Sequence, residues 1–151
     1  MIVWRFSQHE SLDGRGGLAA SGRWHTRGVE ILYCAPNPAT AVLEVLVHAE
    51  VADAAALGGH RFLKIEIPDD TSRQQVDEAQ LPPDWSRRVR VTRAWGDRWL
   101  AARQTALLIV RSVLVPETDN VLINPRHPDA ERIRRIAAFP YPLDARLVER
   151  H

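Results

Sequence analysis

The stretch "VEILYCAPNPATAVLEVLVH", residues 29–48, changes its periodicity halfway along. Its first seven residues, 29–35, are mostly β-branched, aromatic or aliphatic, which is the composition of a strand. Asn37 and Pro38 then supply an N-cap and a first helical residue, and the apolar positions that follow recur at helical spacing. At about 100° per residue, Thr40, Glu44 and His48 fall on one stripe at i, i+4 and i+8. Val42, Leu43, Leu46 and Val47 occupy the other side. Glu44 is therefore either on the solvent face of an amphipathic helix, in contact with His48, or in a crevice between Ala41 and Val45. The helix alone leaves both readings open.

Outward from this strand–helix unit, "IVWRFS" (2–7) reads as a first strand and "LDGRGGLAASGRWHTRG" (12–28) as a long glycine-rich loop. "HRFLKIEIP" (60–68) alternates as a third strand ended by Pro68. Residues 69–90 are polar and read as loop. "TRAWGDRWLAARQT" (92–105) carries Trp95, Trp99 and Ala102 at helical spacing, with Gly96 as its weak point. "ALLIVRSVLVP" (106–116) is β-like, and "NVLINP" (120–125) is placed to pair with it. After "RHPD" the spacing predicts a short helix over "AERIRRI" (130–136), then an extended tail, "FPYPLDARL" (139–147). Short strands around a few short helices predict an α+β fold with mixed or antiparallel sheets, in one domain over 1–151.

Composition narrows the function classes. The chain has 151 residues, 45% hydrophobic and 26% charged, with a net charge of +1, ordinary for a soluble globular protein. Electrostatically driven nucleic-acid binding needs a clear basic excess, so no direct nucleic-acid contact is expected. No apolar run approaches the roughly 18 residues of a membrane span, and "MIVWRFSQHE" lacks the pattern of a signal peptide. Cys34 is the only cysteine, which excludes an intrachain disulfide and points to a cytoplasmic setting. Lys64 is the only lysine. The other basic side chains apart from histidine are arginines, whose guanidinium forks suit phosphate and carboxylate partners.

Individual motifs are weak. "GRGG" (14–17) is a fragment of a phosphate loop that lacks the full glycine pattern and reads as a flexible loop. Arg15, Arg23 and Arg27 lie in or beside it and could converge on an anion. The histidines have no zinc-ligand spacing, so no metal is expected. His127 reads as a residue that starts the following helix, and Cys34 as a small core residue. Ser112 has no G-x-S-x-G context and reads as a strand-end residue.

Taken together, "WRF … SGRWHTRG … ILYCAPNPATAVLEVLVH … WGDRWL … IVRSVLVPETDNVLINPRHPD … PYPLDARL" resembles the RES domain family, from Trp4 to Leu147. The family is named for an Arg, a Glu and a Ser and comprises toxins of bacterial toxin–antitoxin pairs. The resemblance implies an ADP-ribosyltransferase-like fold, and an enzyme that uses NAD+ as substrate, without a further cofactor. It cleaves the nicotinamide–ribose bond by hydrolysis or phosphorolysis. It also implies a cognate antitoxin with a helix-turn-helix (Xre-like) DNA-binding domain that blocks the active site, and a higher-order toxin–antitoxin assembly. Residue by residue, Arg5 and Arg23 match the family's arginines, Tyr33 its aromatic residue, Glu44 its acid and Ser112 its serine. This chain has His25 where the family often has Asn, and Arg111 where it often has Pro, leaving the roles of His25, His48 and Arg111 open.

The chemistry is consistent with that set. A pyridinium leaves as neutral nicotinamide, so no acid need protonate it and one carboxylate suffices, unlike an ordinary glycoside. Glu44 is expected to hold the ribose and stabilise the oxocarbenium-like charge. Arg5 and Arg23 are expected on the diphosphate, Tyr33 stacked on nicotinamide, and Ser112 positioning the carboxamide or a ribose hydroxyl. The alternatives are transfer of ADP-ribose to a protein and an inactive nucleotide- or partner-binding module. A ribonuclease using His48 or His127 lacks the basic stripe it would need.

Overall fold

The computed structural model describes residues 1–48, 57–142 and 144–147. In chain order its elements are β1 (Ile2–Ser7), α1 (Gly16–Ala19), β2 (Leu32–Cys34), α2 (Pro38–His48), β3 (Arg61–Glu66), β4 (Arg73–Gln75), α3 (Val89–Ala102), β5 (Leu107–Arg111), β6 (Asp119–Ile123) and β7 (Arg134–Pro140), with short 3-10 turns between several of them. The strands form two sheets, β1-β3-β7, all antiparallel, and β2-β6-β5-β4, in which β4 runs parallel to β5. The sheets touch through one bridge, where Trp4 and Ala35 exchange backbone hydrogen bonds of 2.8 Å each way.

Alternation along the strands builds the layers. On one face of the second sheet Leu32, Cys34, Leu107, Val121 and Ile123 pack against Val3, Leu63, Ile65 and Ile67 from the first sheet and its edge. Fully burying one such aliphatic side chain contributes roughly 2 kcal/mol. The opposite face carries Tyr33, Leu122 and Leu108, which lie abreast in register, and it is covered by Trp24, Trp85, Trp99 and Leu100. Helix α2 packs Ala41 and Val42 onto Phe6 and Ala35, with Trp4 and Phe62 at the margin. The expected Asn37 cap is present: its Oδ1 accepts the Thr40 N–H at 2.8 Å.

Several expectations need correction. The strand expected over 29–35 is regular only at Leu32–Cys34. The polar segment 69–90 contains β4, whose three residues are all exposed. As a polar edge strand it has no apolar pattern to read, and its place is set by backbone bonds such as Leu107 N–H to Ser72 O (3.0 Å) and Val76 N–H to Ile109 O (3.0 Å). Residues 130–136 are not an α-helix. A 3-10 turn at Pro128–Arg132 is followed by β7, which completes the first sheet beside β3. His127 does start that turn, its Nδ1 accepting the Asp129 N–H at 3.1 Å. The tail continues β7 to Pro140 and ends in a 3-10 turn at Ala145–Leu147 rather than staying extended. The last residues of the helical run read from sequence, 49–50, lie outside the described residues.

Gly96 does not interrupt α3, which runs unbroken through it, and serves the close approach of a loop. A Cβ there would stand 1.7 Å from the Trp24 carbonyl oxygen, so only glycine lets the helix reach the loop. Thr92 Oγ1 donates to Arg23 O at 2.6 Å and Arg93 Nε to Gly22 O at 2.7 Å. Thr92, Arg93 and Gly96, within about one helical turn, thus dock the segment 22–24 onto α3.

Candidate active site

A cleft of about 470 Å³ opens beside the Trp4–Ala35 bridge. It is lined by all five residues matched from sequence, Arg5, Arg23, Tyr33, Glu44 and Ser112, together with His48, Arg93, Arg111 and Asn120. Of the three loop arginines read as a possible anion site, only Arg23 lines it; Arg15 and Arg27 are exposed elsewhere.

Glu44 decides the orientation of α2. The polar stripe turns inward over its first two members: Thr40 is 5% exposed and Glu44 is partly buried, while His48 at its end is exposed and Val47 on the supposed core side is 55% exposed. Glu44 Oε1 accepts from Asn120 Nδ2 at 2.7 Å and from Ser112 Oγ at 2.9 Å. Oε2 lies 3.6 Å from His48 Nε2, too far for a hydrogen bond but close enough for electrostatic support. Burial pushes the Glu44 carboxyl up, but His48, Asn120 and Ser112 together outweigh it and hold it below the usual carboxylate range. The group is ionised at neutral pH, with Oε2 free of strong donors.

Ser112 is placed just past β5. Its hydroxyl donates to Glu44 and accepts the N–H groups of Leu114 and Val115, both at 3.1 Å. Both lone pairs and the proton are committed, which leaves no electron pair for nucleophilic attack. Asn120 was missed by sequence reasoning. It sits opposite Val110 on β6, where strand alternation points it to the same face as Leu122, and its Oδ1 is buried without a hydrogen-bond partner. An alternating polar residue in "DNVLINP" was the available signal.

Tyr33 turns its ring to the cleft while its hydroxyl is tied behind it. The hydroxyl accepts the Trp24 N–H at 3.1 Å and pairs with His25 Nδ1 at 2.8 Å. His25 Nδ1 also receives the Gly22 N–H at 3.2 Å, so it is the acceptor, and Nε2–H donates to Gly17 O at 3.2 Å. Burial lowers the His25 pKa, keeping this tautomer neutral, and raises that of the Tyr33 phenol. His25 is thus a clamp between loop and strand, 2% exposed. The Gly22 Cα approaches so closely that an added Cβ would stand 2.4 Å from the Tyr33 hydroxyl.

The cations are less satisfied. Arg5 shares its face of β1 with Val3, and its Nη1 is buried without a hydrogen-bond partner. Burial lowers its pKa, but guanidinium stays charged. Arg23 Nη1 donates to Ser86 O at 2.9 Å, while its Nε is buried without a partner. Arg111, by contrast, is held at the rim by Glu78 (3.2 Å) and Asp119 (3.3 Å). Cys34 is a buried free thiol whose pKa burial pushes up to about 12, which suits a core residue. Among the described residues no group of three or more His, Cys, Asp or Glu is arranged to hold a metal ion. Nor is any helix there long and apolar enough to cross a membrane.

Residues 2–144 match the RES domain. The chain is 42% identical over 147 residues to a protein named Toxin Res from Pseudomonas putida, covering 97% of this chain and 99% of the relative. It is 36% identical to the Prs ADP-ribosylating toxin of a Sphingobium species, covering 97% and 92%. Among solved structures, that of the M. tuberculosis MbcT–MbcA toxin–antitoxin complex contains a chain that matches with a TM-score of 0.67, covering 93% of this chain and 83% of that one. At 15% identity this likeness concerns the fold alone, and it bears out the α+β, ADP-ribosyltransferase-like architecture expected from the sequence. With the match spanning nearly its whole length and these relatives on either side of it, the chain belongs to the RES domain family.

Proposed function

We propose that this chain is the toxin of a toxin–antitoxin pair, acts in the cytoplasm, and cleaves the nicotinamide–ribose bond of NAD+. The observation that carries this reading is the lone ionised carboxylate of Glu44, oriented by Ser112 and Asn120, in one cleft with the unpaired cations Arg5 and Arg23. As the C1′–N bond breaks, its electron pair leaves with nicotinamide and positive charge develops on the ribose. Glu44 Oε2 stabilises that charge or holds a ribose hydroxyl. Water or phosphate then attacks C1′, water losing a proton to solvent. Arg5 and Arg23 take the diphosphate, Tyr33 offers its ring to nicotinamide, and Ser112 positions Glu44.

Transfer of ADP-ribose to a protein is the second reading, supported by the 36% identical relative whose name describes that activity. A cognate antitoxin is supported by the toxin–antitoxin complex that contains the structural relative; that it carries a helix-turn-helix domain, covers the cleft and joins a higher-order assembly is part of the same proposal. The test is incubation of the purified chain with NAD+, with and without phosphate. Free nicotinamide with ADP-ribose means hydrolysis, with ADP-ribose 1″-phosphate means phosphorolysis, and with a labelled protein band means transfer. No nicotinamide in any condition, from folded protein, overturns the proposal.

A further inference from the structure

Six arginines outside the cleft, Arg61, Arg88, Arg126, Arg132, Arg135 and Arg146, each hold at least one carboxylate, and Arg111 at its rim holds two. Arg93 holds none among the described residues. It projects from α3 into the cleft, half-buried, and its one protein hydrogen bond is made by Nε to the Gly22 carbonyl, at 2.7 Å. That bond fixes the plane of the guanidinium and leaves both Nη groups without a protein acceptor. Arg23 follows Gly22 directly, and the charge of Arg93 works against that of Arg23, as proximity demands. Glu44 across the cleft offsets part of that repulsion at Arg23, but neither guanidinium forms a salt bridge among the described residues, and two neighbouring, partly desolvated cations so placed cost free energy in the empty cleft. A bound anion with several oxygens would remove the cost, and two forks match two phosphates better than one.

Resting on the NAD+ reading above, we propose that Arg93 is a specificity-determining residue: with Arg23 it binds the diphosphate, and so selects a dinucleotide over a riboside that lacks phosphate. Clamping by Gly22 makes this a preorganised contact, so its loss is felt in binding more than in the chemical step.

The test compares wild type, Arg93→Gln and Arg93→Lys, each checked for a native melting transition. Inorganic pyrophosphate binding is measured by calorimetry at low salt, and turnover is measured on NAD+ and on nicotinamide riboside. Arg93→Gln is expected to weaken pyrophosphate binding about tenfold, with Arg93→Lys intermediate because it keeps charge but not the fork. KM for NAD+ rises by a similar factor, kcat changes little, and the riboside is unaffected. Folded Arg93→Gln that binds pyrophosphate like wild type overturns the proposal, as does wild type that binds none. Equal losses on NAD+ and riboside also overturn it, since they mean Arg93 only props the loop. If wild type binds pyrophosphate through Arg93 yet releases no nicotinamide, the NAD+ reading falls and the anion site stands.

Discussion

The carboxylate and the cations of this cleft are held in opposite ways. Glu44 comes from α2, and its two hydrogen-bonding partners come from the end of β5 and from β6, elements anchored by the sheet core. Its Oε1 is fully engaged before any ligand arrives. Arg23 and Tyr33's anchor come instead from the glycine-rich segment 12–28, which has only one short helix. That segment is held in place from behind by Thr92, Arg93, Gly96 and His25. On this side the protein satisfies the backbone and leaves guanidinium groups unmatched. A preorganised anion facing reaction charge and unmatched cations awaiting ligand charge are different tasks, and each wall is built for one of them.

Five substitutions would break that contrast, in descending order of effect. Glu44→Gln keeps the shape of the network but removes the charge. In the proposed NAD+ cleavage kcat should fall roughly 150-fold, from ~3 kcal/mol of lost stabilisation, with an unchanged melting temperature; near-full turnover would remove Glu44 from the mechanism. Gly96→Ala attacks the other wall from behind. In an exposed helix this change stabilises, but with the new Cβ 1.7 Å from Trp24 O it should cost about 2–3 kcal/mol in denaturant unfolding. A neutral or stabilising result would mean the loop is free to retreat.

Asn120→Ala removes one charge-assisted donor from Glu44, and should lower kcat about tenfold. Ser112→Ala should match that loss and add a stability cost, because the Leu114 and Val115 N–H groups lose their acceptor. If the two variants unfold alike, the turn after β5 does not depend on the hydroxyl.

The smallest effect is a pH slope. Burial lowers the pKa of His25 in the folded chain, so between its folded and unfolded values the unfolded chain binds more protons. Stability is present in full above the unfolded pKa, near 6.5, and is lost as pH falls from there through the folded value. His25→Asn should flatten the slope between about pH 7 and pH 5 without abolishing it, because His60 is lowered in the same direction. A slope unchanged by the substitution would show that the His25 clamp opens without protonating.

Much of this was legible in residue order, for identifiable reasons. The cap at Asn37, the stripe of Thr40, Glu44 and His48, and the pairing of 106–116 with 120–125 are signals within a dozen residues, where propensity and periodicity act. The inward direction of the stripe was not. A helix has two sides, and α2 turns Val47 to solvent and Thr40 inward because Phe6 and Ala35 present the surface it covers. The strand β7 was masked by Ile133 and Ile136, whose helical spacing yielded to the open edge of β3. Asn120 and Arg93 carried no local mark, since each matters only through what stands opposite.

The sequence by itself determined the local elements, the lack of a disulfide pair, and, through the order of its motifs, the family and its five matched residues. The tertiary structure decided that these five share a cleft, that Ser112 has no lone pair to spend on attack, that His25 is a clamp, and that Arg93 is without a counter-ion. Local elements follow from short-range sterics and spacing. Lone pairs, burial and counter-ions depend on contacts between segments as distant as Glu44 and Asn120, which exist only once the sheets have closed on each other.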